Sequence, residues 1–99
     1  MKGKSIMEEI VIGKNVCQAE MMTFGGINIM LIKGARGALG CAYLNLAAAE
    51  KFDHALAIVS GVKTYEDMLN AEVKAVSPAA AAAGVKPGMS GREALEIMQ

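Results

Sequence analysis

Three glycine-bearing breaks, at residues 13–15, 25–26 and 34–37, cut the first part of the chain into extended segments too short for ordinary helices. The segments are "IMEEIVI" (6–12), "VCQAEMM" (16–22), "INIMLIK" (27–33) and "ALGCAY" (38–43). The last two, joined only by "GARG", follow each other so closely that a hairpin is their simplest arrangement. In the second segment Val16, Gln18, Glu20 and Met22 share one face and Cys17, Ala19 and Met21 the other, which assigns Cys17 to the core. Ile27, Ile29 and Leu31 oppose Met30 and Ile32, and apolar residues on both sides predict a central strand covered on both faces.

From Asn45 the period changes to that of a helix. Asn45 caps a segment in which Leu46, Ala49 and Phe52 repeat at threes while Glu50, Lys51 and Asp53 face outward. "HALAIV" (54–59) then reads as a buried strand, completing a strand–helix–strand unit that crosses over right-handedly if its strands are parallel. Thr64 with Asp67 starts a short helix carrying Tyr65, Met68 and Leu69, and "EVKAV" (72–76) is a last strand. Ser77 and Pro78 open an alanine helix that Gly84 stops, with Val85 packing back on it. Ser90 and Glu93 form a capping box for the final helix, whose apolar side is Ala94, Leu95 and Met98. The expectation is an α/β or α+β fold: one small domain over residues 1–99, a mixed sheet of five to six strands, three to four helices, and a poorly ordered tail at 1–4.

Ordering 99 residues costs on the order of 150 kcal/mol in conformational entropy, so most apolar side chains must be buried. With 54% of residues hydrophobic, part of that burial is expected against another copy of the chain, which predicts a homo-oligomer. Ten basic residues balance ten acidic ones, and a neutral chain lacks the basic field on which nucleic acid or an anionic membrane draws. No window resembles a membrane span or a signal peptide, so a cytoplasmic chain is expected, with small molecules or proteins as partners. Two cysteines outside any CxxC pair and a single histidine are too sparse for structural zinc. Neither a metal nor a cofactor is expected, and both thiols should be reduced.

"KGARGALGCAY" (33–43) concentrates the chemistry. Its glycine-rich turn can expose amides to an anion, with Arg36 as a bidentate clamp on a carboxylate or phosphate, or it can be a hairpin with Arg36 solvated at the bend. The spacing is neither that of a phosphate loop nor that of a dinucleotide fingerprint, and it precedes a strand. Cys41 is a candidate nucleophile if Arg36 lowers its pKa, and otherwise an inert buried thiol. Tyr43 can donate to a bound oxyanion or fill the core. His54, beside Asp53, is a candidate base or a boundary residue. Arg92, early in the last helix, opposes the helix dipole, so it either pairs with Glu96 or joins Ser90 and Gly91 in holding an anion there with Arg36.

"KGARGALGCAYLNLAAAEKF", "SGVKTYEDMLNAEVKAVS" and "GVKPGMSGREALEIM" occur in order, and the chain resembles the YunC-like family, the DUF1805 domain, over Ile10 to Met98. The resemblance implies a small α/β or α+β domain without an established activity. It marks Arg36, Gly37, Cys41, Tyr43, Gly61, Val62, Gly88, Gly91 and Arg92, and departs at Ala42, where the family usually has glycine. Three functions follow as expectations: an oligomeric domain binding an anionic metabolite between the glycine turn and the last helix, a cysteine-dependent enzyme using Cys41 with His54 or Tyr43, and an assembly domain.

Overall fold

A computed structural model describes residues 4–25, 27–42, 51 and 53–99. Six strands form one sheet in sequence order: β1 (Lys4–Ile12), β2 (Asn15–Phe24), β3 (Ile27–Lys33), β4 (Ala38–Cys41), β5 (Leu56–Val59) and β6 (Ala75–Val76). Every neighbouring pair is antiparallel except β4 and β5, which run parallel. The four extended segments expected before residue 43 are therefore present, the hairpin expected of the last two is β3–β4, and β4 with β5 is the parallel pair of the strand–helix–strand unit. The helix expected from Asn45 falls almost wholly outside the described residues, as does the tail apart from Lys4, which opens β1.

Three short helices follow: α1 (Tyr65–Asn70), α2 (Pro78–Ala83) and α3 (Gly91–Ile97). Each begins as its capping residues dictate. Thr64 and Ser90 both close full capping boxes, with Asp67 and Glu93 reaching back to the cap amides. Ser77 accepts from the Ala80 amide, and Gly84, at φ 108°, ends α2 while the Val85 amide returns to the Ala80 carbonyl.

Register sets the layers. Ala19, Ile32, Leu39 and Ala57 fall in one row across four strands and are fully buried, with Cys17, Met30 and Val59 on the same face. Against that face pack Met68, Leu69, Ala80, Ala94 and Leu95 from the three helices and Met98, which caps α3, giving one core in a two-layer arrangement. Each large side chain removed from water there contributes about 1.5–3 kcal/mol. The opposite face of β1–β3 differs from expectation. Ile29 and Leu31 are only half-buried, and Val11, Val16 and Met22 are 64%, 57% and 49% exposed. The last strand is also shorter than "EVKAV": Glu72 forms only an isolated bridge to Ser90, and the Lys74 amide donates to Ile58.

Candidate functional site

The β3–β4 connection, Gly34 to Gly37, is a tight turn closed by the Gly34 amide on the Gly37 carbonyl at 2.8 Å. What it meets is the end of α3, not the beginning. The Arg36 amide donates to Met98 O at 2.8 Å, and the Ala38 amide to Ala55 O at 3.0 Å. The glycines permit this approach: a Cβ on Gly34 would lie 2.5 Å from Met98 O, and one on Gly37 would lie 2.6 Å from Met98 Sδ and 2.8 Å from Ala55 Cβ. The amides of Gly34, Arg36 and Ala38 are thus spent on protein carbonyls. An anion at this turn would be met by side chains instead of by a backbone cradle.

Those side chains border a hollow of about 340 Å³ lined by Lys33, Gly34, Arg36, Gly37, Ala38, Asp53, His54 and Ala55. The size suits a small metabolite. Arg36 is exposed and makes no ion pair with any described residue, whereas Lys33 Nζ lies 3.4 Å from Glu20 Oε1. Asp53 is the one described non-glycine residue with a left-handed backbone, at φ 57°, a conformation aspartate tolerates better than most. A second hollow, lined by Val16, Gln18, Lys33, Gly34 and Ala35, shares Lys33 and Gly34 as a common wall.

The rear of the hollow is fixed by a residue that sequence reading valued only as a helix cap. Ser77, 1% exposed, donates its hydroxyl to His54 O at 2.7 Å and accepts from the amides of Leu56 at 2.9 Å and Ala80 at 3.3 Å. One hydroxyl therefore ties the start of α2 to the backbone that carries His54. No sequence pattern announces a contact across more than twenty residues.

Arg36, Gly37 and His54 are brought together; the remaining candidates are not. Cys41 closes β4 on the core face, 3% exposed, with its Sγ accepting from the Met30 amide at 3.4 Å. It lies three residues from Ala38, about 10 Å along the strand from the hollow. The parallel register sets Val59 beside Cys41 and Leu56 beside Ala38, so His54 and Cys41 stand at opposite ends of the pair and form no dyad. Tyr43 lies outside the described residues.

Ser90, Gly91 and Arg92 sit at the start of α3, with Arg92 six residues before Met98, about 9 Å along the helix axis from the glycine turn. Their polar groups are used locally. The Ser90 amide donates to Glu93 Oε1, the Ser90 hydroxyl accepts from the Glu93 amide, and the Gly91 amide donates to Ala71 O. Gly91 serves packing, since a Cβ there would lie 2.0 Å from Met68 O and 2.7 Å from Leu39 Cδ2. Exposed Arg92 makes no ion pair with Glu96 or any other described residue.

Burial raises the Cys17 thiol above its usual pKa, and burial followed by the charges of Glu8 and Glu20 raises the Tyr65 phenol. Among the described residues no group of histidine, cysteine and carboxylate side chains is arranged to hold a metal ion, and no helix is long and apolar enough to cross a membrane.

No protein with a curated description matches the chain. A solved structure does: a protein of unknown function, TA1206 from Thermoplasma acidophilum, 31% identical, superposes with a TM-score of 0.93 over 100% of this chain and 97% of that one. Residues 40–98 match the family model described as a domain of unknown function, DUF1805, and more than half the chain is covered. The chain belongs to the DUF1805 family.

Proposed function

We infer that this protein is a small binding domain that holds an anionic metabolite in the hollow beside the glycine turn. The observation that carries the reading is Arg36: an exposed guanidinium without an ion pair among the described residues, on a turn anchored by its own amide to Met98 O, at the rim of a metabolite-sized hollow. Lys33 and His54 border the same space. Binding is favoured over cysteine catalysis because Cys41 is walled in on the core face, and a nucleophile needs an accessible thiolate and a base within reach. The test is a thermal-shift and amide-NMR titration with inorganic phosphate and small mono- and dicarboxylates. Stabilisation should rise with ligand concentration, amide shifts should cluster at 33–38 and 53–55, and Arg36→Ala should abolish both while leaving the fold intact. Shifts that cluster elsewhere, or survive the substitution, refute the reading.

A homo-oligomer is the second part of the proposal, favoured by Val11, Val16 and Met22 lying exposed on one sheet face, the first two as direct cross-strand partners. Light scattering over a dilution series should give a dimer or larger species that Val16→Lys dissociates. A monomer at micromolar concentration removes this part.

A further inference from the structure

We propose that the hollow selects a small amino carboxylate, an ammonium and a carboxylate joined by a short aliphatic chain, over a simple anion; the inference rests on the anion-binding reading above. The reason is Asp53. It lines the same hollow as Arg36 and Lys33, and among the described residues it makes an ion pair with neither. Lys33 is already engaged by Glu20, so among the described residues the hollow presents one guanidinium and one carboxylate that make no ion pair.

A simple anion drawn in by Arg36 meets repulsion from Asp53, and a simple cation meets the reverse. A ligand bearing both charges is attracted at both ends. The same hollow is also lined by Gly34, Gly37, Ala38 and Ala55, small residues without charge that leave room for methylene groups and offer them apolar contact. Asp53 is fixed at the join into β5 by its left-handed backbone, while the Ser77 hydroxyl holds the next residue's carbonyl. The two charges are therefore set on connections tied to the core, one through Met98 and the other through Ser77.

The experiment is a calorimetric and NMR titration with glycine, 3-aminopropanoate, 4-aminobutanoate and 6-aminohexanoate, each against the carboxylate of equal chain length without its amine. At least one amino carboxylate should bind about two- to fivefold more tightly than its deaminated counterpart, the range expected for an exposed charge pair. Asp53→Asn should erase that preference and leave carboxylate affinity unchanged or higher. Asparagine also tolerates the left-handed backbone, so the variant keeps the fold. Carboxylates that bind through Arg36 equally well with or without the amine, or a preference that survives Asp53→Asn, overturn the selectivity alone. Failure of phosphate and every carboxylate to bind overturns this inference together with the reading beneath it.

Discussion

Replacing Gly34 by alanine tests whether the glycine turn is built for packing or for a ligand. The new Cβ would lie 2.5 Å from Met98 O, a backbone atom that no rotamer change can move, whereas real Cβ contacts begin near 3.0 Å. The end of α3 must retreat by at least the difference, 0.5 Å, and doing so stretches the 2.8 Å bond from the Arg36 amide to that same carbonyl. Overpacking of this kind costs about 1–3 kcal/mol, and weakening the hydrogen bond adds up to about 1 kcal/mol. Gly34 is outside the left-handed region, so alanine also restricts the unfolded chain and returns about 0.4–1 kcal/mol. The centres of these ranges combine to an expected net loss of about 2 kcal/mol, a fall in thermal midpoint of roughly 8–16 °C for a domain of this size, read by circular dichroism or urea denaturation. Gly37→Ala meets side chains first, Met98 Sδ and Ala55 Cβ, so adding Ala55→Gly should recover part of its loss and none of that caused by Gly34→Ala. If Gly34→Ala is as stable as the parent within about 0.5 kcal/mol, the packing account is refuted.

Ser77→Ala removes the cap of α2 and strands the Leu56 amide and the His54 carbonyl, so about 2–3 kcal/mol of stability should be lost in urea denaturation; a loss under 1 kcal/mol would show the three contacts to be dispensable. With Cys17 and Cys41 both buried, native protein should react with a thiol reagent far more slowly than unfolded protein, and one rapid equivalent would reveal an exposed thiolate. Because the Cys17 and Tyr65 pKa values are raised on folding, the unfolded chain ionises first as pH climbs past their usual values of about 8.5 and 10. The unfolded state then holds fewer protons, so stability present in full below that range declines as pH rises through the folded values. Denaturation curves from pH 7 to 11 should show this decline, reduced in Cys17→Ala and Tyr65→Phe; a flat profile contradicts it.

Most of the fold was legible because its signals are local. Alternation in "VCQAEMM" sets Cys17 and Ala19 on the face that becomes core, and the caps at Thr64, Ser77 and Ser90 name three helix starts. Both faces of β3 read as equally apolar, but alternation reports hydrophobicity and not what covers it, and Ile29 and Leu31 lie only half-buried. The site was legible at one end only. Glycine density marks the turn, but the expected other wall is the last helix and His54 is expected only as a base for Cys41; that Asp53 and His54 meet the turn depends on the register that sets Ala38 beside Leu56. The same register parts Cys41 from His54, although "GARGALGC" places Cys41 close to Arg36 in sequence. A strand rising about 3.3 Å per residue turns a short spacing into a long distance and sends its side chains to alternate faces.

The direction of α3 explains why the two arginines do not share a ligand. Its first residue is held by the Ala71 carbonyl and by Gly91 packed on Met68 and Leu39, while its last turn reaches the glycine turn through Met98 O. Reversing those contacts would bring Arg92 to Arg36 but set the helix's terminal carbonyls against the Ala71 carbonyl, which now accepts from the Gly91 amide. Instead the negative end of the helix backbone lies next to Arg36, where a cation is favoured by about 0.3–1 kcal/mol. Arg36 thus has a modest structural reason to be basic in addition to any ligand. The two roles separate cleanly: the helix term is small, salt-sensitive and retained by Arg36→Lys, whereas bidentate recognition of a carboxylate depends on the planar guanidinium and is weakened by the same change.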